Sequence, residues 1–222
     1  MIQAILFDFD GLILDTEWPS YQAWADSYRA HGHDLPLETY VQCVGSDFAR
    51  FDPKSHLEEL FGDRIDWNHW DRERERLALK RIRELAPLPG VRELFGSARE
   101  EGVPCAVASS SPRSWVEGHL SRLGLLPYVS VIRSLDDVAA PKPSPELFLT
   151  AAEALGVAPE TAVVLEDSLN GLKAAQAART PCVIVPNRVT SHLDFTGAAA
   201  VIPSLEGVDP DRLADLSRGT TV

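Results

Sequence analysis

Two carboxylates two residues apart, Asp8 and Asp10, close the first apolar run of a 222-residue chain. On a strand, residues two apart face the same way, so both can address one ligand. Carboxylates that close repel each other, and one takes up a proton unless a cation intervenes. A third carboxylate, Asp167, follows Glu166 at the end of a later apolar run. The result is a hard, oxygen-rich site suited to Mg²⁺, with Asp8, Asp10, Glu166 and Asp167 as candidate metal residues. With a metal present, Asp8 can be an ionised nucleophile while Asp10 acts as general acid and then base. Lys142 stands between Pro141 and Pro143 and is expected on a stiff, extended stretch. Its ammonium would shield the charge between Asp8 and an incoming phosphoryl group, a catalytic and a binding role at once. Ser109 and Ser110, in the serine triplet that ends another apolar run, are candidate hydroxyls for the phosphoryl oxygens.

These residues need a scaffold that gathers strand ends. Short apolar runs recur at Ile2–Phe9, Pro104–Ala108, Ser130–Ile132, Ala162–Leu165 and Cys182–Val185, with helical patterns between them. Ser111 is expected to cap one helix with Pro112 at its first position. Val116, Leu120 and Leu123 then give that helix its apolar stripe. Alternating strands and helices indicate an α/β fold with a mostly parallel sheet, whose ligands bind beyond the carboxyl ends of the strands. From about Asp15 to Leu85 there is only helical patterning, ended by Pro87-Leu88-Pro89-Gly90. The expected organisation is a catalytic core of residues 1–14 and 88–222, with a helical cap, 15–87, inserted after the first strand. The last residues, Arg218–Val222, read as a frayed tail.

Composition sets outer limits. The chain is 45% hydrophobic and 24% charged, which excludes collagen-like and wholly disordered classes. Its net charge of −12 argues against nucleic acid, which needs clustered Lys and Arg, and disfavours an anionic membrane surface. A small anionic metabolite remains compatible, because a local site can be positive on an acidic protein. Cys43, Cys105 and Cys182 lie far apart without CxxC spacing and read as buried thiols of a cytoplasmic protein.

The stretch from Phe7-Asp8-Phe9-Asp10-Gly11 to Asp15-Thr16-Glu17 resembles the first motif of the haloacid dehalogenase-type phosphotransferases. Val107-Ala108-Ser109 resembles their second motif, Lys142 in Pro-Lys-Pro-Ser-Pro-Glu the third, and Leu165 to Gly171 the fourth. The resemblance covers residues 2 to about 185, in the right order. It implies a three-layer α/β/α core, Mg²⁺ dependence, an aspartyl-phosphate intermediate and a small phosphorylated metabolite as substrate. It makes Asp8 the nucleophile and Asp10 the acid and base. Asp8, the Asp10 carbonyl and Asp167 would hold Mg²⁺, with Glu166 beside or in that shell.

Within this family the expectation is a phosphatase. Dehalogenases lack the aspartate at position 10, and phosphonate-cleaving enzymes have a different first motif. The nearest rival is a β-phosphoglucomutase-like sugar phosphomutase. Those mutases carry a histidine where this chain has Ser20, and an arginine in the segment resembling Val44-Gly45-Ser46. Here Asp47 follows that segment and Arg50 is shifted. A non-catalytic binding protein would be signalled by a substituted motif residue, and none is found. Arg72, Arg76, Lys80 and Arg83 form a basic ridge expected to be a solvated face, the alternative being a surface that draws in phosphoesters. Trp18, Trp24, Trp67 and Trp70 are expected to form the core of the cap. The six histidines show no ligand spacing.

Overall fold

The computed structural model describes residues 2–43, 51–62 and 65–219. Val44, Gly45, Ser46, Asp47 and Arg50 lie outside them, as do residues 220–222 of the expected tail. Six strands form one sheet: β1 (Ala4–Phe7), β2 (Cys105–Ala108), β3 (Val131–Arg133), β4 (Ala162–Glu166), β5 (Cys182–Ile184) and β6 (Ala200–Val201). Their order is β3-β2-β1-β4-β5-β6, and every pairing is parallel. Five of these match the apolar runs. The sixth has only two residues, too short to leave a pattern.

Between β1 and β2 come α1 (Glu17–Ala30), α2 (Leu37–Tyr40), α3 (Pro53–Phe61), α4 (Trp67–Arg83) and α5 (Val91–Glu100). The later helices are α6 (Arg113–Arg122), α7 (Glu146–Leu155), α8 (Leu169–Ala177) and α9 (Pro210–Ser217). The period of two along the strands builds the layers. Ile5, Phe7, Val107 and Leu165 pack with Leu94 and Phe95 of α5, Leu120 of α6 and Leu213 of α9. Ala4, Leu6, Ala106 and Val164 face the other way, against Phe148 and Ala151 of α7 and Leu172 of α8. Strands buried on both faces explain why the runs are continuously apolar rather than alternating. The arrangement is a three-layer α/β/α sandwich.

A third apolar cluster gathers Trp24, Tyr28, Leu35, Tyr40 and Leu57 from α1, α3 and the residues between them, with Trp18 and Trp67 against it. Three of the four expected tryptophans therefore pack together. Trp70 instead lies edge-on to His31, 4.8 Å between ring centroids. Val189, from the loop after β5, is fully buried in the same cluster. The residue that returns to the sheet is tied to the one that left it: Leu88 N–H donates to the Ile13 carbonyl at 2.9 Å.

Two local expectations fail. Helix α6 begins at Arg113, the residue before it is Pro112, and its first N–H donates to Asp136 Oδ2 at 2.9 Å rather than to a serine; the Ser111 hydroxyl is engaged elsewhere. Lys142 is not on an extended stretch but in a turn closed by Ser144 N–H donating to the Pro141 carbonyl at 3.0 Å.

Candidate active site

The carboxyl ends of β1, β2 and β4 converge on one cleft of about 1690 Å³. Asp8 follows β1 directly, its N–H donating to the Leu165 carbonyl at 2.9 Å, and its side chain is buried. The Lys142 ammonium, also buried, donates to Asp8 and, at 2.8 Å, to Glu166 Oε1. It lies 4.7 Å from the centre of the Phe148 ring of α7, whose face favours a cation. Ser110 Oγ accepts the Lys142 backbone N–H at 3.2 Å.

Glu166, the last residue of β4, is saturated by the chain itself. Its Oε2 accepts the N–H groups of Asp167 and Ser168 at 2.9 Å each, and the Ser168 hydroxyl at 3.0 Å. Ser168 also caps α8 by accepting Gly171 N–H at 3.0 Å. A side chain at Gly171 would put its Cβ 1.8 Å from the Glu166 carboxyl, so only glycine leaves room for that carboxylate. Gly11 has φ +87°, and its Cβ would lie 2.3 Å from Asp167 Oδ2. Both glycines are therefore requirements of the acidic cluster, one for its packing and one for its backbone as well.

Asp8, Glu166 and Asp167 bring carboxylate oxygens within 4.8 Å of one another, against a single ammonium. Burial, with the charges of Glu166 and Asp10 adding to it against the opposing Lys142, pushes Asp8 up to about 8. Burial and the charges of Glu166 and Asp8 hold Asp167 well above the ordinary carboxylate range. Burial works against the Lys142 charge, but Asp8 and Glu166 outweigh it and keep the ammonium protonated.

Asp10 is held apart from this cluster by four donors. Oδ1 accepts the Thr16 hydroxyl at 3.0 Å and the Trp115 indole N–H at 2.9 Å. Oδ2 accepts the hydroxyls of Ser111 at 2.6 Å and Ser109 at 3.3 Å. Two carboxylates two residues apart thus have different surroundings, one paired with an ammonium and one with neutral donors.

The family model described as haloacid dehalogenase-like hydrolase matches residues 2–179. The chain belongs to this family. YhcW of Bacillus subtilis (strain 168) is 42% identical over 195 residues, covering 88% of each chain. Hexitol phosphatase B of Escherichia coli (strain K12) is 33% identical over 202 residues, 83% of this chain and 84% of that one. The structure of CbbY from Rhodobacter sphaeroides in complex with phosphate matches with a TM-score of 0.75 at 30% identity. It covers 96% of this chain and 100% of that one.

In this haloacid dehalogenase-like hydrolase, the expected residues Asp8, Asp10, Ser109, Ser110, Lys142, Glu166 and Asp167 all line the one cleft. Four further residues escaped the sequence reading. Thr16, Ser111 and Trp115 hold Asp10, and Asn187 donates to Asp167 Oδ2 at 2.6 Å and to the Gly11 carbonyl at 3.2 Å. Asn187 stands two residues past the end of the fifth apolar run, so the polar run-end signal that marks Asp8, Ser109 and Asp167 points to it as well. The helical side of the cleft offers Glu17, Glu38, Asp71, Arg74 and Glu75. Arg74 is paired with Asp71 at 3.0 Å and lies over the Trp24 ring at 4.1 Å. Burial, then the charges of Asp10 and Asp15, push Glu17 up to about 7. Arg72, Arg76, Lys80 and Arg83 are exposed and line a separate shallow groove, in keeping with a solvated face.

Proposed function

We propose that the chain is a Mg²⁺-dependent phosphatase of a small phosphomonoester, a sugar or polyol phosphate, working through an aspartyl phosphate on Asp8. The observation that carries this reading is the Asp8–Lys142 pair beside an Asp10 held by neutral donors. An Asp8 oxygen attacks phosphorus, the ester P–O bond breaks, and Asp10 gives its proton to the leaving oxygen. Asp10 then takes a proton from the water that attacks the phosphoaspartate, releasing inorganic phosphate and restoring Asp8. Lys142 balances charge on Asp8 and the phosphoryl oxygens. Ser110, which accepts from Lys142 N–H, keeps its O–H to donate to one of them, and Ser109 lies beside it.

The donor set suits Mg²⁺. Three buried carboxylates, two of them raised, face one ammonium, and every available donor is a hard oxygen. Asp8 and Asp167 would hold the ion, with Glu166 fixed by its own partners beside them, and the Asp10 contribution coming through its carbonyl. When bound, the ion supplies positive charge to the phosphoryl oxygens and to the Asp8 carboxylate. Asn187 orients Asp167. Asn187→Ala is therefore expected to weaken Mn²⁺ or Mg²⁺ binding by about 10–100-fold, measured by isothermal titration. Unchanged affinity would remove this role from Asn187.

Residues 15–87 serve as the cap, and their acidic wall suits a neutral, polyhydroxylated leaving group. Carboxylates accept hydroxyl hydrogen bonds and repel a second phosphate. The similarity to hexitol phosphatase B supports the same substrate class. Three buried thiols support a cytoplasmic setting, and among the described residues no helix is long and apolar enough to cross a membrane. Hydrolysis rather than mutase chemistry is favoured by Ser20, whose hydroxyl donates to the Thr16 carbonyl at 2.8 Å where the mutases have a histidine. The test supplies β-glucose 1-phosphate, a bisphosphate primer and Mg²⁺, and in parallel a panel of hexitol and sugar monophosphates. Inorganic phosphate from the panel, with little glucose 6-phosphate, is expected. Glucose 6-phosphate accumulating much faster than inorganic phosphate would establish the mutase instead.

A further inference from the structure

The four donors to Asp10 are not equivalent. Thr16, Ser109 and Ser111 offer hydroxyls, which rotate and can accept as well as donate. The Trp115 indole N–H can only donate, and it meets Oδ1 at 2.9 Å. Its ring is constrained too. It lies edge-on to His119, one turn further along α6, with 4.3 Å between centroids and 69° between planes. His119 is buried, its ring 6.1 Å from that of Phe9. The Arg122 guanidinium lies 3.3 Å from His119 Nδ1 and donates to the Leu85 carbonyl at 2.9 Å. The indole thus sits on an anchored helix face while reaching into the cleft.

We propose that Trp115 is a positioning residue for Asp10: its N–H fixes the direction of the carboxyl group and reserves Oδ1 as an acceptor, so that the acid proton resides on Oδ2. The proposal rests on reading Asp10 as the acid and base of a phosphoryl-transfer site. A proton on Oδ1 would compete with a group that cannot turn away, whereas Oδ2 faces two hydroxyls that can turn to accept. The proton then departs from one defined atom as the ester P–O bond breaks and the Asp8–phosphorus bond forms. Without the indole, the remaining partners of Asp10 are all rotatable, and the productive orientation becomes one of several.

Leaving-group dependence distinguishes this role from simple packing. p-Nitrophenolate departs without a proton, while the alkoxide of glycerol 1-phosphate needs one. The experiment measures kcat/KM for both esters with the full chain and Mg²⁺. Trp115→Phe keeps a ring against His119 and removes the donor. The ratio of aryl to alkyl kcat/KM is expected to rise by about tenfold or more, a part of the usual contribution of proton transfer. Trp115→His, which can present an imidazole N–H, is expected to recover part of the alkyl rate. A purely structural contribution lowers both esters together, and an unchanged ratio in Trp115→Phe overturns the proposal. If Trp115→Phe does not fold by circular dichroism, Trp115→Met carries the same comparison. Asp10→Asn separates the two levels. If it too leaves the ratio unchanged, Asp10 is not the acid, and the proposal falls with the reading beneath it. If Asp10→Asn raises the ratio and the Trp115 variants do not, the proposal alone falls.

Discussion

Asp8→Asn is expected to lower phosphate release by about 10⁴-fold or more, the scale seen when a covalent nucleophile is removed. It should also eliminate the covalent phosphoenzyme. The amide has the shape of the carboxylate and its oxygen can still accept from Lys142, so the loss lies in nucleophilicity rather than in packing. The environment of Asp8 sharpens the test. Burial and the neighbouring charges of Glu166 and Asp10 together outweigh Lys142 and disfavour a charge at this position, and in the variant the ammonium keeps Glu166 as its partner at 2.8 Å. The metal-free variant is therefore expected to unfold at a temperature no lower than that of the unsubstituted protein. Catalysis would vanish from a chain that folds as well as before. Rapid acid quench with a ³²P-labelled phosphomonoester reads the phosphoenzyme, and thermal unfolding reads the fold. Labelled protein at the normal level in Asp8→Asn would show that the phosphoryl group is carried elsewhere.

How much of this was legible depended on whether a residue's role was local. Asp8 and Asp10 could be read because strand geometry puts them on one face and because an apolar run points at them. The same run-end rule located Ser109, Glu166 and Asp167, and it would have reached Asn187 had it been applied after Val185. The serine triplet shows the limit. A serine just before a proline is as good a cap as it is a ligand to a distant carboxylate, and only the fold reveals that Ser111 spends its hydroxyl on Asp10. Trp115 meets Asp10 across 105 positions, a contact no periodicity encodes. On α4 the basic ridge was visible as a stripe, yet the cation that this helix offers to the cleft is Arg74, off that stripe. Strand β6 was invisible because two residues make no pattern. The layers themselves were plain, since a parallel sheet covered on both faces demands the continuous apolar runs that mark it.

Chelation is expected to abolish turnover, and Mg²⁺ to restore it, because Asp8 and Asp167 are both raised above the ordinary carboxylate range beside a single ammonium and ionise together only with a further cation. The same physics makes a second, independent readout in protein stability. Asp8 is pushed from 3.8 up to about 8, Glu17 from 4.5 up to about 7, and Asp167 moves in the same direction. A carboxyl group that titrates higher in the folded chain than in the unfolded one binds more protons when folded. Its stabilising contribution is full below the unfolded value and is lost as pH rises through the folded value. The metal-free protein should therefore lose stability as pH climbs from about 4 towards 8, through these groups. A divalent cation replaces the protons of Asp8 and Asp167 and favours their deprotonated forms, so its stabilising effect should grow over the same interval. At a hundredfold excess over Kd, binding to the folded state alone contributes about 2.7 kcal/mol, enough to move a thermal midpoint by several degrees in a chain of this size. Thermal unfolding in EDTA and in Mg²⁺, from pH 5.5 to 8.5, reads both effects. The expected pattern is a midpoint in EDTA that falls towards alkaline pH and a gap to the Mg²⁺ curve that widens with it. Full activity after exhaustive EDTA treatment would sink the metal assignment. A gap that narrows with rising pH would show that the cation does not bind these carboxylates.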